Sequence, residues 1–332
     1  MNKIRIVISG AAGFIGSLLC SKINSYGSFQ AMCFDNFSSY YDFRLKINRF
    51  NFFLESGQDN ISFRKIDLCN NFYRENHDFD FFIHLAAQPG VRESLRDPMA
   101  YEENNIKAFV NVLEYCRHNK VKHLIYASSS SVYGQSTRLP FSEDDPCDRP
   151  ASFYGATKKA NELMAHSYAS CFGLPCTGLR FFTVYGPWGR PDMAYFSFAK
   201  AIMEGKPITL HGGGEFSRDF TYIDDIVAGI MAVVNGGPPQ PDSLGVPHRI
   251  YNLGNDHPEK VLTLVSYLEE SLGKKAIVET SNLPLGDVPH TWANIDRMKK
   301  DFGWSPKVGL REGIDRFAKW FLEYHGYKKG GV

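Results

Sequence analysis

Apolar positions in the first half of the chain switch between two rhythms. Ile4–Ile8 is a short, β-branched apolar run, the pattern of a strand buried on both faces. Phe14–Ile23 then continues at helical spacing. The runs Phe29–Phe34, Ile61–Ile66, Phe79–Leu85, His123–Ala127 and Leu179–Val184 predict five further strands. A polar and aromatic loop after Asp35 leads into a helix. Asn104–Arg117 carries Ile106, Phe109, Val110, Leu113 and Cys116 on one helical stripe, and Ser152–Phe172 reads as another helix. Gln135–Ala151, with its prolines and acids, predicts a surface loop. Strand–helix alternation over this length predicts a doubly wound parallel α/β sheet. Past Gly186 the rhythm breaks. Thr209–Arg218, with three consecutive glycines, predicts a hairpin-like loop, and Gly236–Pro247 a flexible one. Helices over Phe196–Glu204, Tyr222–Val234, Val261–Leu272 and Gly313–Tyr324, with a strand over Arg249–Leu253, predict a smaller mixed α/β lobe. It spans 186–332 and lies over the sheet's carboxyl edge. Segments near 220–255 return to the first lobe, 1–185.

The junction of first strand and first helix carries candidate chemistry. Gly10, Gly13 and Gly16 are spaced G-x-x-G-x-x-G between them. Strand, glycine turn and helix make a phosphate-binding geometry, because the backbone turns tightly and free N–H groups meet the charge. A glycine triplet alone is weak, since tight turns need glycine anyway. Asp35, about 20 positions on and closing the second strand, makes it a Rossmann-type dinucleotide fingerprint. A carboxylate there accepts from a ribose 2′-hydroxyl and repels a 2′-phosphate, which predicts NAD rather than NADP. The nearest basic residue along the chain is Arg44. Expected cofactor contacts are Gly10, Gly13, Phe14, Ile15 and Gly16 at the turn, and Asp35 and Asn36 after the second strand. Asp67 and Leu68 follow the third strand, and Leu85, Ala86 and Ala87 the fourth. Asp67 suits an adenine amino group or a strand-end cap. The small residues after His84 let a flat ring come close. His84 itself reads as a packed strand-end histidine rather than a catalyst.

Composition narrows the class without deciding it. With 332 residues, 43% hydrophobic and 22% charged, the chain is an ordinary globular one of one or two domains. A net charge of +1 implies no broad pull toward nucleic acid or an anionic membrane. No apolar run reaches membrane-spanning length, and no signal peptide precedes the first strand. Seven scattered cysteines without a C-x-x-C pair fit a reducing cytoplasm and argue against a disulfide frame or a metal site.

Tyr154 and Lys158 are four apart on a predicted helix, so both point the same way. A lysine cation beside a phenol depresses the phenol's pKa and yields a general base usable near neutral pH. Ser128, Ser129, Ser130 and Ser131, at the fifth strand's end, supply hydroxyls able to bridge that phenol to a substrate hydroxyl. The glycine turn, Asp35, the serine run before VYG and Tyr154-x-x-x-Lys158 resemble the extended short-chain dehydrogenase/reductase superfamily. Within it, DNFSSYYDFRLK, HLAAQPGVR, YASSSSVYG and RFFTVYGPWGRPDM resemble the UDP-glucuronate 4-epimerases. The likeness runs on through RDFTYIDD, GDV and FGWSP, nearly the whole chain.

That resemblance implies a mechanism. NAD stays bound, Tyr154 takes the proton of the sugar's 4-hydroxyl, and hydride leaves C4. The 4-keto sugar turns over and takes the hydride back on its other face. Lys158 lowers the tyrosine pKa and holds the nicotinamide ribose. Register with the family makes Ser129 the bridging hydroxyl, although four serines in a row leave a slip by one open. Ser130, Ser131 and Thr183 then surround the sugar carboxylate with Arg190, whose structural alternative is a pair with Asp192. Arg218 and Asp287 are the remaining implied substrate contacts, for a UDP-sugar. The superfamily's 4,6-dehydratases carry an Asp-Glu pair, and its UDP-glucuronate decarboxylases a Glu, where this chain has only hydroxyls. The chain departs from the family at Ser38-Ser39 and at Thr291-Trp292-Ala293-Asn294. Other UDP-hexoses or UDP-N-acetylhexosamines therefore stay open as substrates. A decarboxylase or oxidoreductase releasing NADH, and a non-catalytic nucleotide sensor, are the rival readings. The resemblance also implies a homodimer through helices near Asn105–Arg117 and Ser152–Phe172.

Overall fold

The computed structural model describes residues 3–54, 60–70, 72 and 78–330. Strands β1 (Ile4–Ser9), β2 (Phe29–Asp35), β3 (Ile61–Lys65), β4 (Phe81–His84) and β5 (His123–Ser129) follow the sequence expectation closely, whereas β6 (Cys176–Phe181) begins three residues before the expected Leu179 and ends before Val184. Three short strands come next: β7 (Thr183–Tyr185), β8 (Pro207–His211) and β9 (Ser217–Tyr222). β10 (His248–Leu253), β11 (Pro258–Lys260) and β12 (Ile277–Ser281) complete the set. The main sheet has seven strands in the order β10-β6-β5-β4-β1-β2-β3, all parallel. The order reverses between β1 and β4, which opens a crevice at their carboxyl ends. β10 comes from beyond residue 186 and pairs with β6, from His248 opposite Cys176 to Leu253 opposite Phe181.

Both faces of the sheet are covered. Ile6, Ile8, Ile83 and Ile125 point into one core, and Val7, Phe82, Leu124 and Tyr126 into the other. Each such side chain contributes about 1.5–3 kcal/mol when fully buried. Helix α1 (Phe14–Asn24) and the helix Ile223–Gly236 belong to the first face, and the helix Leu310–His325 packs on the helix Val261–Leu272 in the same continuous core. The helices Ala108–His118 and Phe153–Phe172 cover the second. The Ser152 side chain accepts from Gly155 N (3.1 Å) and caps the last of these.

Three local expectations need correction. Thr209–Arg218 is no hairpin: β8 pairs in parallel with β12, and β9 pairs with β7 and β11. Val110 is exposed, and Val112 takes its place in the core. A π-helical turn, Glu102–Lys107, precedes Ala108 and resets the phase of the stripe. In the Gln135–Ala151 loop, Phe141 is buried, stacks on Tyr133 and bonds the 292–294 backbone.

Candidate active site

A cavity of about 1020 Å³ runs along the carboxyl ends of the strands, from the glycine turn to the 283–288 loop. Every residue singled out as a cofactor, catalytic or substrate contact lies on its wall. At the cofactor end, Gly10 has φ +75°, and a Cβ there would sit 2.7 Å from Ala86 N. No side chain caps the first turn of α1, so its N–H groups remain for an anion. Asp35 is held by Ala12 N (3.0 Å to Oδ2) and Phe37 N (2.7 Å to Oδ1), which fixes its carboxylate at the cavity wall. Asp67 plays the strand-end cap, accepting from Cys69 N (2.9 Å) and Asn36 Nδ2 (3.4 Å). Burial opposes its ionisation, yet these donors hold its pKa below the ordinary value.

The nearest basic side chain in space is not Arg44. Arg44 begins helix α2 (Phe43–Leu54) and pairs with Asp42 in solvent. Lys46, buried, turns inward and donates to Ser38 Oγ (2.8 Å) at the cavity wall. Burial lowers its pKa, while the Asp35 charge works the other way. His84 is as expected a packed histidine, bonded to Ser9 Oγ (2.8 Å), with burial pushing its pKa down to about 3.

The serine run resolves into different jobs. Ser128 Oγ donates to the buried Glu162 (2.7 Å) and is not free for a substrate. Ser129 Oγ accepts from Ser131 N (3.1 Å), lines the cavity with the Tyr154 phenol and favours its ionised form. Beneath them, Glu162 and Arg180 form a buried pair at 2.8 and 2.9 Å. Arg180 also donates to Tyr133 Oη (2.9 Å), whose hydroxyl donates to Asn252 (2.7 Å). This network ties the Tyr154 helix to β5, β6 and β10.

One electrostatic expectation fails. Tyr154 is raised above the ordinary phenol pKa, chiefly by burial, and the charge that lowers it is Arg190. Lys158 donates to Ala127 O (2.9 Å), and burial brings its own pKa down to about 8. Of the protein's own charges, Arg190 is the one that favours the phenolate.

At the sugar end, Arg190 forms the pair with Asp192 that was the structural alternative, and it lines the cavity beside Tyr154 and Thr183. Arg218 donates to Ser217 O (3.0 Å) and Pro289 O (2.9 Å). Asp287 pairs with Arg92 at 3.0 Å across the mouth. Of the departing segment 291–294, only Thr291 reaches the cavity. Trp292 Nε1 donates to Asp256 O, and the Asn294 side chain caps the Asp296 turn.

Residues 6–254 match the NAD dependent epimerase/dehydratase family. The chain belongs to this family. Protein CapI of Staphylococcus aureus is 44% identical, over 98% of this chain and 100% of its own. UDP-glucuronate 4-epimerase 2 of Arabidopsis thaliana is 43% identical, over 99% of this chain and 78% of its own. The crystal structure of UDP-glucuronic acid 4-epimerase from Bacillus cereus, in complex with UDP-glucuronic acid and NAD, superposes with a TM-score of 0.89. It is 34% identical and covers 97% of this chain and 100% of that one.

In this member of the family, sequence reading missed several cavity supports. Asn105 bonds Gln88 N (2.7 Å), Gln88 O (3.0 Å) and Thr157 Oγ1 (3.1 Å), joining the loop after β4 to the Tyr154 helix. Arg49, fully buried, reaches the carbonyls of Trp188 (2.8 Å) and Gly189 (2.9 Å) just before Arg190. Trp188 sits at φ +63°, a strained position for a bulky residue. Nothing local marks Arg49; the proline- and glycine-rich loop it holds was the available signal.

Proposed function

We propose that this protein interconverts UDP-glucuronate and UDP-galacturonate by NAD-dependent epimerisation at C4. The observation that carries the reading is one continuous cavity joining the glycine turn, the Tyr154–Ser129 pair and Arg190. The cofactor fits this chain: the uncapped N–H groups of α1, the close approach at Gly10 and the fixed carboxylate of Asp35 suit a 2′-hydroxyl dinucleotide. When bound, NAD supplies the hydride acceptor and donor. Gly10, Gly13, Phe14, Ile15 and Gly16 cradle its diphosphate, with Asp35 and Asn36 at one ribose. Asp67 and Leu68 flank the adenine, and Leu85, Ala86 and Ala87 take a flat ring.

Tyr154 takes the proton from the sugar's 4-hydroxyl and later returns it, with Ser129 bridging phenol and sugar. Lys158 holds the nicotinamide ribose, and a phenol raised in pKa by burial needs Arg190 and the cofactor's charge to ionise. Ser130, Ser131, Thr183 and Arg190 hold the sugar carboxylate, Arg190 by a fork of charge-assisted bonds. Arg218 and Asp287 serve the nucleotide diphosphate end. The curated and structural relatives named above support the same substrate. The deciding experiment incubates the enzyme with UDP-glucuronate, UDP-glucose and UDP-N-acetylglucosamine, with product analysis and absorbance at 340 nm. Conversion of UDP-glucuronate to UDP-galacturonate without net NADH is expected; a pentose product or accumulating NADH overturns the reading.

We also infer a dinucleotide-binding part over 1–185, joined by 220–255, and a substrate part over the rest of 186–332. A homodimer fits the apolar residues left outward on the helices of the second face, Val110, Leu163 and Phe172 at 36%, 61% and 53% exposure. No described helix is long and apolar enough to cross a membrane. A cytoplasmic site accords with the cysteines, all of them free thiols.

A further inference from the structure

Arg190 does not meet the cavity as a bare cation. Asp192, two residues on, holds its guanidinium by two bonds, Nε to Oδ1 at 3.0 Å and Nη2 to Oδ2 at 2.5 Å. The second partner of Asp192 comes from a distant part of the chain. The Tyr40 hydroxyl, from the loop after β2, lies 3.4 Å from Oδ2. Gly90, at φ +105°, brings its backbone against the Tyr40 hydroxyl and leaves no room there for a Cβ. Tyr40, Arg190 and Asp192 line the same cavity as Tyr154 and Thr183.

The arrangement has a chemical consequence. A guanidinium presents five donors in a planar fork, and Asp192 already occupies one two-pronged edge of it. A sugar carboxylate reaching for the same edge must compete with a carboxylate already there. If one replaces the other, Arg190 is never left partly buried and unpaired, a costly state. A neutral hydroxymethyl group gives up nothing comparable and cannot open the pair. The displaced Asp192 still has a donor within reach, because Tyr40 keeps its proton: burial, then the Asp192 charge, push its pKa up to about 12.

We propose that Asp192 is a resident counter-ion of Arg190 which the substrate's carboxylate replaces, Tyr40 then holding Asp192, so that this pair sets the preference for a uronate over a neutral hexose. The proposal rests on the UDP-hexuronate reading above. It makes Asp192 and Tyr40 specificity residues acting through Arg190, and it predicts a gain that mere structural damage cannot give.

The test measures binding of UDP-glucuronate and UDP-glucose to the NAD-loaded enzyme by calorimetry. Asp192→Asn keeps the shape but removes the competing charge. UDP-glucuronate should then bind roughly tenfold more tightly, with UDP-glucose unchanged to within about twofold. Tyr40→Phe should weaken UDP-glucuronate alone, by roughly threefold, and should have no further effect once Asp192 is Asn. Weaker UDP-glucuronate binding by Asp192→Asn would mean that Asp192 aims Arg190 instead of competing for it, and the proposal falls. Equal changes for both sugars overturn it as well. Arg190→Ala separates this failure from that of the parent reading. If Arg190→Ala weakens both ligands alike, the uronate assignment is wrong. If it selectively weakens UDP-glucuronate while Asp192→Asn gives no tightening, only the counter-ion proposal fails.

Discussion

The proton-transfer end of the cavity and its sugar-recognition end are built from opposite materials. Around Tyr154 the supports are buried and mutually satisfied. Glu162 and Arg180 are 3% and 2% exposed, and Ser128, Tyr133 and Asn252 complete their bonds. Around Arg190 the charges are partly exposed pairs, Arg190 with Asp192 within one loop and Arg92 with Asp287 between segments. A buried network resists rearrangement, because removing one partner strands a charge in low dielectric. A partly exposed pair is held less firmly and exchanges partners more readily. A base must return to one place each turnover, whereas a pocket that lets a sugar turn over must let go of it. The two ends divide these demands between them.

The comparison breaks most sharply at the phenol. Tyr154→Phe should lower kcat by about 10² to 10⁴-fold while NAD and UDP-glucuronate still bind, since only the oxygen is lost. Loss within about tenfold would place the base elsewhere. Glu162→Gln should destabilise the fold by about 3 to 5 kcal/mol, read as a lower denaturant midpoint, because Arg180 keeps its charge and loses its partner. At the other end, Arg190→Ala should lower the midpoint much less than Glu162→Gln and weaken UDP-glucuronate by about 1.5 to 3 kcal/mol, the size of a charge-assisted bond. A midpoint that falls as far as with Glu162→Gln would erase the distinction.

Acid sharpens it differently. His84, His123 and His248 lie in β4, β5 and β10, and burial pushes their pKa values down to about 3, 3 and 4. Below about pH 6.5 the unfolded chain binds protons there that the folded chain refuses, so stability falls with pH. The slope is at most about 1.4 kcal/mol per pH unit for each histidine, over the window from 6.5 down to 3–4. Urea titrations between pH 7 and 5 should show it, and His123→Gln should flatten it. The smallest effect belongs to Arg92→Ala, less than about 1 kcal/mol in stability, since its pair with Asp287 is solvated.

What the sequence disclosed of these two ends follows from range. The glycine turn, Asp35 and Tyr154-x-x-x-Lys158 are local signatures, each set within one strand, turn or helix, and each stands on the cavity wall. Supports that close over long separations were silent: Glu162 beneath Ser128, Asn105 against Gln88, Tyr40 opposite Asp192. Arg44 and Lys46 show the limit in miniature. Two residues apart on one helix, they point about 200° apart, and only the fold says which faces inward. The hairpin expected near residue 212 failed for the same reason, since the partner of β8 arrives some seventy residues later. The serine run was legible as a group and illegible within it, until Glu162 claimed Ser128.

The place of β10 bears on how the molecule comes into being. Its edge of the sheet is closed by a strand that leaves the ribosome some seventy residues after β6. Until then a nascent chain exposes the open flank of β6, with unpaired backbone groups and the apolar side chains of Cys176 and Leu179. Domains made during synthesis normally complete themselves from the N-terminus onward. Here the first half waits for the second, so a truncation before His248 should be caught by chaperones or aggregate, and assembly should be slow for the chain's length.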